Sequence, residues 1–251
     1  MQQIVKRAKI IGTGSYVPQK IYTNEYLESI IDTNSEWIYN TLGIKERRIA
    51  GEDEATSDLA AEAGKIAVHD AGLIAKDIDL LIVATSTPDR IAPSTACIVQ
   101  DKLGLINAAA FDLAAVCSGF LYSMSVASQF IASGTYQNIL VIGADTFSKI
   151  TNWENRDAVF FGDGAGAVIL SYANVNEGFL AYRLYSDGSG RSNFTVPAGG
   201  SEIPSSHKNI DKKLHFYKMN GKAVFNTGIK VLPKAINQVL ADTGLTVNDI
   251  D

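Results

Sequence analysis

Cysteine and basic clusters are scarce in this sequence, and each scarcity argues against a class of protein. The 251 residues include two cysteines, Cys97 and Cys117, too few for a disulfide framework in a chain of this size. This favours a reducing, cytoplasmic location. Acidic residues outnumber basic ones by 27 to 22, and no basic run exceeds KERR at 45–48. A nucleic-acid partner is therefore not predicted.

Long hydrophobic runs are also lacking. No stretch of about 20 apolar residues occurs, and serines and glycines interrupt the uncharged run between Asp112 and Asp145. The basic residues near the start are not followed by an apolar segment of secretory length. The sequence therefore predicts neither a membrane span nor a leader, and its 46% hydrophobic content is ordinary for a globular domain.

Apolar runs alternate with amphipathic stretches along most of the chain, a pattern typical of an α/β domain. Strands are predicted at 8–18, 79–86, 108–114, 138–145, 164–172 and 178–187. Helices are predicted at 32–43, 56–72, 93–104, 117–134 and 220–244, the last kinked or restarted at Pro233. Because parallel strands need crossover helices, we expect a mostly parallel sheet with helices on both faces.

Cys117 lies where a predicted strand passes into a helix made of apolar and small residues. A sulfur at this junction would face the free N–H groups and the positive end of the helix dipole, an environment that favours the thiolate. A buried cysteine serving as a small hydrophobic residue fits the same spacing, and the pattern alone leaves both interpretations open.

Several ordered motifs carry a more specific signal. The segment DLAAVCSGF at 112–120 resembles the nucleophile segment of β-ketoacyl-(acyl carrier protein) synthase III, a condensing enzyme of the thiolase superfamily. Seven further motifs occur along the chain, before and after this segment, in the order that the family has them: IIGTGSYVP, DTNSEWIYNTLGIKERRIA, PSTACIVQDKLG, FGDGAGAVIL, SDGSG, VPAGGS and MNGKAVF. The resemblance implies a thiolase-like layered αβαβα fold with mixed parallel sheets and a buried central helix after Cys117. Residues 1–172 would form the half that carries the nucleophile, and 173–251 the start of a second half, apparently incomplete.

The resemblance also implies an activity. Cys117 would accept an acyl group from acyl-CoA, and malonyl-acyl carrier protein would then be decarboxylated and condensed with it, initiating fatty-acid synthesis. The expected partners are acyl-CoA, malonyl-acyl carrier protein and a second copy of the chain. Acyl-CoA would be a substrate, with no permanently bound cofactor and no metal. Two alternatives stay open: a related acyltransferase of secondary metabolism, and a non-catalytic partner that binds acyl carrier protein.

Further site residues follow from the resemblance alone. It places Trp37, Arg156 and Gly221 at the coenzyme site, with Trp37 and Arg156 flanking the adenine. The acyl-pocket residues it implies are Ala92, Phe147, Phe161, Phe194 and Phe225. Well-known members carry an Arg-Thr pair where this chain has Thr41 and Leu42, so we expect weaker contact with the coenzyme pyrophosphate.

Decarboxylation in this family uses a histidine and an asparagine, in motifs that the family spacing places beyond Asp251. His69, His207 and His215 stand outside those motifs. We expect all three to be ordinary packing or surface residues, and their separation from the cysteines suits no zinc site.

Overall fold

The computed structural model describes residues 7–174 and 177–251. Its strands are β1 (Ala8–Tyr16), β2 (Lys20–Thr23), β3 (Glu46–Ile49), β4 (Leu80–Ala84), β5 (Ala109–Leu113), β6 (Ile139–Thr146), β7 (Asp163–Tyr172), β8 (Phe194–Thr195) and β9 (Lys218–Met219). Its helices are α1 (Asn24–Ile30), α2 (Ser35–Leu42), α3 (Thr56–Asp70), α4 (Thr95–Leu103), α5 (Gly119–Ser133), α6 (His207–Asp211) and α7 (Gly221–Thr243).

Five strands form the main sheet, in the order β1-β7-β6-β4-β5. β4 runs parallel to both β5 and β6, whereas β7 is antiparallel to β6 and to β1, so the sheet is mixed and not mostly parallel as expected. Ala84 at the end of β4 pairs with Leu113 of β5 and with Gly143 of β6. The carboxyl ends of the three parallel strands therefore meet at one edge, which in open α/β sheets is where ligands bind.

Helices cover both faces of this sheet, as predicted. Leu81 and Val83 of β4 pack in the core cluster that includes Leu59 of α3 and Val99 of α4. The alternate strand positions pack with Met124, Ala127 and Ile131 of α5 on the opposite face. The strands are thus apolar on both sides because both sides are covered, and each large side chain fully buried here contributes about 1.5–3 kcal/mol.

Strand β1 lies unusually close to helix α3. A Cβ added at Gly14 would overlap the carbonyl oxygen of Ala63 and come within 2.5 Å of the Ala67 backbone nitrogen. Glycine at this position therefore allows the backbones of β1 and α3 to pack directly on each other.

The strand predicted at 178–187 is not present, and this prediction is wrong. A strand needs a neighbouring strand to satisfy its backbone hydrogen-bonding groups. In this region Phe179 N donates to Ala8 O at 2.8 Å, and after that contact the described chain leaves the sheet. The segment crosses the outer side of α5 instead. Tyr182 Oη and Ser128 Oγ lie 2.5 Å apart, and Tyr122 Oη donates to Tyr185 O at 2.8 Å.

Helix α7 runs without interruption through Pro233, so the predicted restart is not observed. Arg183 forms an ion pair with Asp242 of α7 and so joins the helix to the segment that covers α5. The predicted boundary at 172/173 coincides with the end of β7 at Tyr172, and the division into two halves stays a prediction. Within the described ranges, every helix falls short of the length or the apolarity needed to cross a bilayer.

Candidate active site

Cys117 lies just beyond the carboxyl end of β5. A 3-10 turn at Val116–Ser118 joins the strand to α5, and the cysteine is exposed at its centre. The first residue of α5 is Gly119, and the preceding Ser118 makes no side-chain cap to the helix. Because the Ser118 side chain does not accept from the N–H groups at the amino end of α5, these groups remain available to stabilise a nearby negative charge.

The backbone just before Cys117 is strained. Val116 has φ 47°, in the left-handed region that β-branched residues rarely adopt. Such a conformation costs about 1–3 kcal/mol and persists only where the surroundings impose it. Behind the turn, a Cβ on Gly119 would lie 3.2 Å from the Ala84 Cβ, so the first turn of α5 packs on the end of β4. The strained turn thus presents the thiol outward from a closely packed base.

A carboxylate network fixes the neighbouring strand ends. Asp145 Oδ1, near the end of β6, accepts hydrogen bonds from Ser86 N at 2.8 Å, Thr87 N at 3.1 Å and Thr87 Oγ1 at 2.9 Å. Thr146 N donates in turn to Thr87 Oγ1 at 2.8 Å. Burial raises the pKa of Asp145, and these hydrogen bonds oppose that rise. The network joins the loop after β4 to the end of β6, and sequence analysis did not identify it.

Three of the five predicted acyl-pocket residues are brought together. We define the aromatic cluster as Phe147, Phe161, Phe194 and Tyr217. Phe147 stacks on Phe161 with ring centroids 4.9 Å apart, and Phe194 lies 6.2 Å from Phe147 and 6.1 Å from Phe161. Phe147 directly follows β6, so the cluster begins at the sheet edge where Cys117 follows β5.

The other two predicted pocket residues lie apart from this cluster. Phe225, on α7, is 67% exposed. Ala92 is exposed in the loop between β4 and α4. Tyr217, which sequence analysis missed, completes the cluster instead. The sequence feature that could have pointed to Tyr217 is its position, as an aromatic residue just before the MNGKAVF motif.

Trp37 and Arg156 meet although they are far apart in the sequence. The Arg156 guanidinium carbon lies 4.4 Å from the centre of the Trp37 ring. Asn34 Oδ1 accepts from Trp37 N at 3.0 Å and begins helix α2. Arg156 begins a 3-10 turn at Arg156–Val159, and the buried Arg47 donates to Val159 O at 3.0 Å. A cation on an aromatic face is also a stacking surface for a flat base.

The remaining predicted residues lie in separate elements. Gly221 is the first residue of α7, preceded by the cap residue Asn220. His69 is in α3, His207 begins α6, and His215 lies between α6 and β9. No group of three or more histidine, cysteine or acidic side chains suited to a metal occurs among residues 7–174 and 177–251.

An exposed cysteine lies between a parallel strand and the helix that follows it, in a sheet covered on both faces. The solved structures that this chain resembles place this arrangement in the thiolase-like class of condensing enzymes. The comparisons with known proteins identify the family. The family model for 3-oxoacyl-[acyl-carrier-protein (ACP)] synthase III matches residues 111–188. A β-ketoacyl-[acyl-carrier-protein] synthase III from Caldanaerobacter subterraneus is 52% identical, over 97% of this chain and 74% of its own length.

Solved structures of similar proteins support the same family assignment. The 3-oxoacyl-[acyl-carrier-protein] synthase III of Aquifex aeolicus is 39% identical with a TM-score of 0.85, covering 95% of this chain and 73% of the other. The priming β-ketosynthase of the R1128 polyketide pathway is 29% identical with a TM-score of 0.85, covering 98% and 74%. The chain belongs to the β-ketoacyl-[acyl-carrier-protein] synthase III family, and the predicted fold class is confirmed.

Proposed function

We propose that Cys117 is the nucleophile that carries the acyl group in this chain. The chain is an acyltransferase of the β-ketoacyl-[acyl-carrier-protein] synthase III type, whose reaction condenses an acyl-CoA primer with malonyl-acyl carrier protein and initiates fatty-acid synthesis. The observation that carries the assignment is the exposed thiol on a strained turn at the amino end of α5. On its two-cysteine composition we assign the reaction to the cytoplasm.

The first step is a thioester exchange. The Cys117 thiolate attacks the carbonyl carbon of acyl-CoA, a carbon–sulfur bond forms, and the tetrahedral intermediate collapses with coenzyme A leaving as its thiolate. The carbonyl oxygen becomes negative on the way, and the Cys117 peptide N–H at the amino end of α5 is the proposed donor to it. The product is an acyl-cysteine.

The second step forms the carbon–carbon bond. Malonyl-acyl carrier protein loses CO2, the electron pair of the broken bond becomes an enolate, and its carbon attacks the acyl-cysteine carbonyl. Cys117 leaves as a thiolate and the β-ketoacyl product stays on the carrier. The family stabilises this enolate with a histidine and an asparagine. Since His69, His207 and His215 stand outside that motif, we assign only the acylation step to residues of this chain.

Trp37, Arg156 and Gly221 form the proposed coenzyme site. The Trp37 ring and the Arg156 guanidinium contact each other directly. An adenine between them would first have to part the pair, and it would then contact a π surface on one side and a cation on the other. Gly221 has no side chain, so a ligand can approach the backbone at the amino end of α7, where Asn220 Oδ1 already accepts a hydrogen bond from Ala223 N at 3.1 Å.

The proposed partner in assembly is a second copy of the chain. Strand β5 is the edge of the main sheet on the side of Cys117, and an unpaired edge is stabilised when another strand covers it. Ala92 lies exposed in the loop that precedes α4. In a dimer its side chain would be available to the acyl pocket of the neighbouring copy.

The test of the function separates the two steps. The protein is incubated with acetyl-CoA, and its intact mass and the peptide containing Cys117 are measured. We expect one acetyl group on Cys117 and free coenzyme A in equal amount. Acylation at another residue, or none, would refute the assignment. Condensation with malonyl-acyl carrier protein is then measured on the acylated protein.

Replacing Ala92 with phenylalanine is expected to shift primer choice. The added ring would fill pocket space in the neighbouring copy, so acylation by long or branched acyl-CoA should fall relative to acetyl-CoA. One extra or missing methylene in a hydrophobic pocket corresponds to about 10- to 200-fold in discrimination. The ratio of kcat/KM values for the two primers measures the effect.

The matched control for this prediction is Ile106→Phe, because Ile106 is also exposed, at 82%, but lies in the turn after α4. This variant should keep the primer ratio of the parent. If Ala92→Phe leaves the ratio unchanged as well, Ala92 is not part of a pocket wall.

A further inference from the structure

Tyr217 occupies a fixed position in the aromatic cluster. It is 7% exposed, its ring lies nearly parallel to that of Phe194 at 5.6 Å, and it meets the edge of Phe161 at 5.3 Å. Its backbone N–H donates to Ile150 O at 2.9 Å. Packing on two rings and a backbone hydrogen bond together determine where its hydroxyl points.

That hydroxyl leaves the cluster and reaches the turn that carries Arg156. Tyr217 Oη donates to the backbone carbonyl oxygen of Asp157 at 2.6 Å. Asp157 is the residue after Arg156 in the 3-10 turn Arg156–Val159. This hydrogen bond therefore connects the proposed acyl pocket to the proposed coenzyme site, in addition to the chain itself, since Phe161 of the cluster follows the turn by two residues.

The turn has other anchors, and each comes from outside the aromatic cluster. Arg47 donates to Val159 O at 3.0 Å, and Asn155 Oδ1 accepts from Asp157 N at 3.2 Å. The Trp37 ring contacts Arg156 itself. Tyr217 thus adds a side-chain hydrogen bond from the aromatic cluster to this turn, besides the chain connection to Phe161.

The Tyr217 hydroxyl keeps its proton under working conditions. Burial raises the pKa of the phenol well above its ordinary value, and the nearby Asp157 carboxylate raises it further. A phenol that stays neutral remains a donor to the Asp157 carbonyl, so the restraint does not switch with pH in the neutral range.

We propose that Tyr217 is a positioning residue for coenzyme A: its ring belongs to the acyl-pocket wall, and its hydroxyl holds the turn that presents Arg156 to the adenine nucleotide. The inference rests on the proposed function, which assigns the nucleotide to Trp37 and Arg156. Removing the hydroxyl should loosen Arg156 without changing the shape of the pocket. The loss should therefore fall on recognition of the nucleotide, and acyl transfer itself should be spared.

The test is Tyr217→Phe, which keeps the ring and deletes the donor. The Kd of coenzyme A is measured by calorimetry, and acylation of Cys117 is followed with acetyl-CoA and with acetyl-pantetheine, which lacks the nucleotide. Loss of one hydrogen bond of ordinary strength changes an equilibrium constant by about 2- to 12-fold. We expect the Kd of coenzyme A and the KM of acetyl-CoA to rise by that factor. The maximal acylation rate, the primer ratio and the KM of acetyl-pantetheine should stay unchanged.

The matched control is Tyr182→Phe, which removes the hydroxyl of a half-buried tyrosine elsewhere, the one that meets Ser128 of α5. Its affinity for coenzyme A should equal that of the parent. An unchanged coenzyme A affinity in Tyr217→Phe, or an equal loss with both acyl donors, would overturn the positioning role and leave the proposed function standing. A parent protein that neither binds coenzyme A nor becomes acylated would overturn the proposed function, and this inference with it.

Discussion

Replacing Cys117 with serine is expected to lower the rate of acylation by acyl-CoA by at least about 1,000-fold. A serine hydroxyl at neutral pH is a far weaker nucleophile than a thiolate, and loss of a covalent nucleophile removes most of an enzyme's rate. The fold should survive, since Cys117 is exposed and packs in no core cluster. Acylation is measured as the acyl group retained on the intact protein, and folding by circular dichroism.

Cys97→Ser is the matched control. Cys97 is half-buried in α4, with its Sγ 3.2 Å from Ser94 Oγ, so serine can take its place with little change. This variant should be acylated at the parental rate. Equal acylation of the Cys117→Ser and parental proteins would show that the acyl group is carried elsewhere.

Replacing Gly14 with alanine is expected to destabilise the fold strongly. The added Cβ would overlap the backbone of α3 at Ala63 and Ala67, and backbone atoms cannot move aside as a flexible side chain can. Overpacking of this kind costs about 1–3 kcal/mol, occasionally more, and we expect the upper end. Three kcal/mol corresponds to a fall in Tm of roughly 6–12 °C for a chain of this size. Denaturant unfolding measures the free-energy change directly.

Gly166→Ala provides the comparison for Gly14→Ala. Gly166 lies on β7, beside Ser15 of β1, and a Cβ added there meets nothing within 4 Å. Its free energy of unfolding should change by less than about 1 kcal/mol. Equal effects of the two substitutions would mean that β1 and α3 are not as close as described.

Much of the fold was predictable because its signals are local. The fully apolar runs at β4 and β6 predict strands buried on both faces, and the structure has both. The small-residue run after Cys117 predicts a helix that packs closely on the sheet, and α5 does so. Such signals lie within one element, so the sequence displays them directly.

The features that sequence analysis missed depend on distant partners. The apolar alternation at 178–187 is compatible with a strand, but no backbone neighbour is available in the described chain, and tyrosine hydroxyls fix the segment on α5 instead. Likewise, nothing local distinguishes Tyr217, whose role follows from a contact with Asp157. The meeting of Trp37 and Arg156 was implied only by family resemblance, because 119 positions separate them and no local pattern joins them.

The left-handed backbone at Val116 has a consequence for the engineering of thermal stability in this protein. Glycine adopts that conformation without a steric penalty, so Val116→Gly is a substitution that a screen for heat resistance would retain. The same change would make the backbone that positions Cys117 more flexible. Selection for robustness and selection for turnover would therefore favour different residues at this one position, as is common where a fold holds a reactive group in a strained geometry.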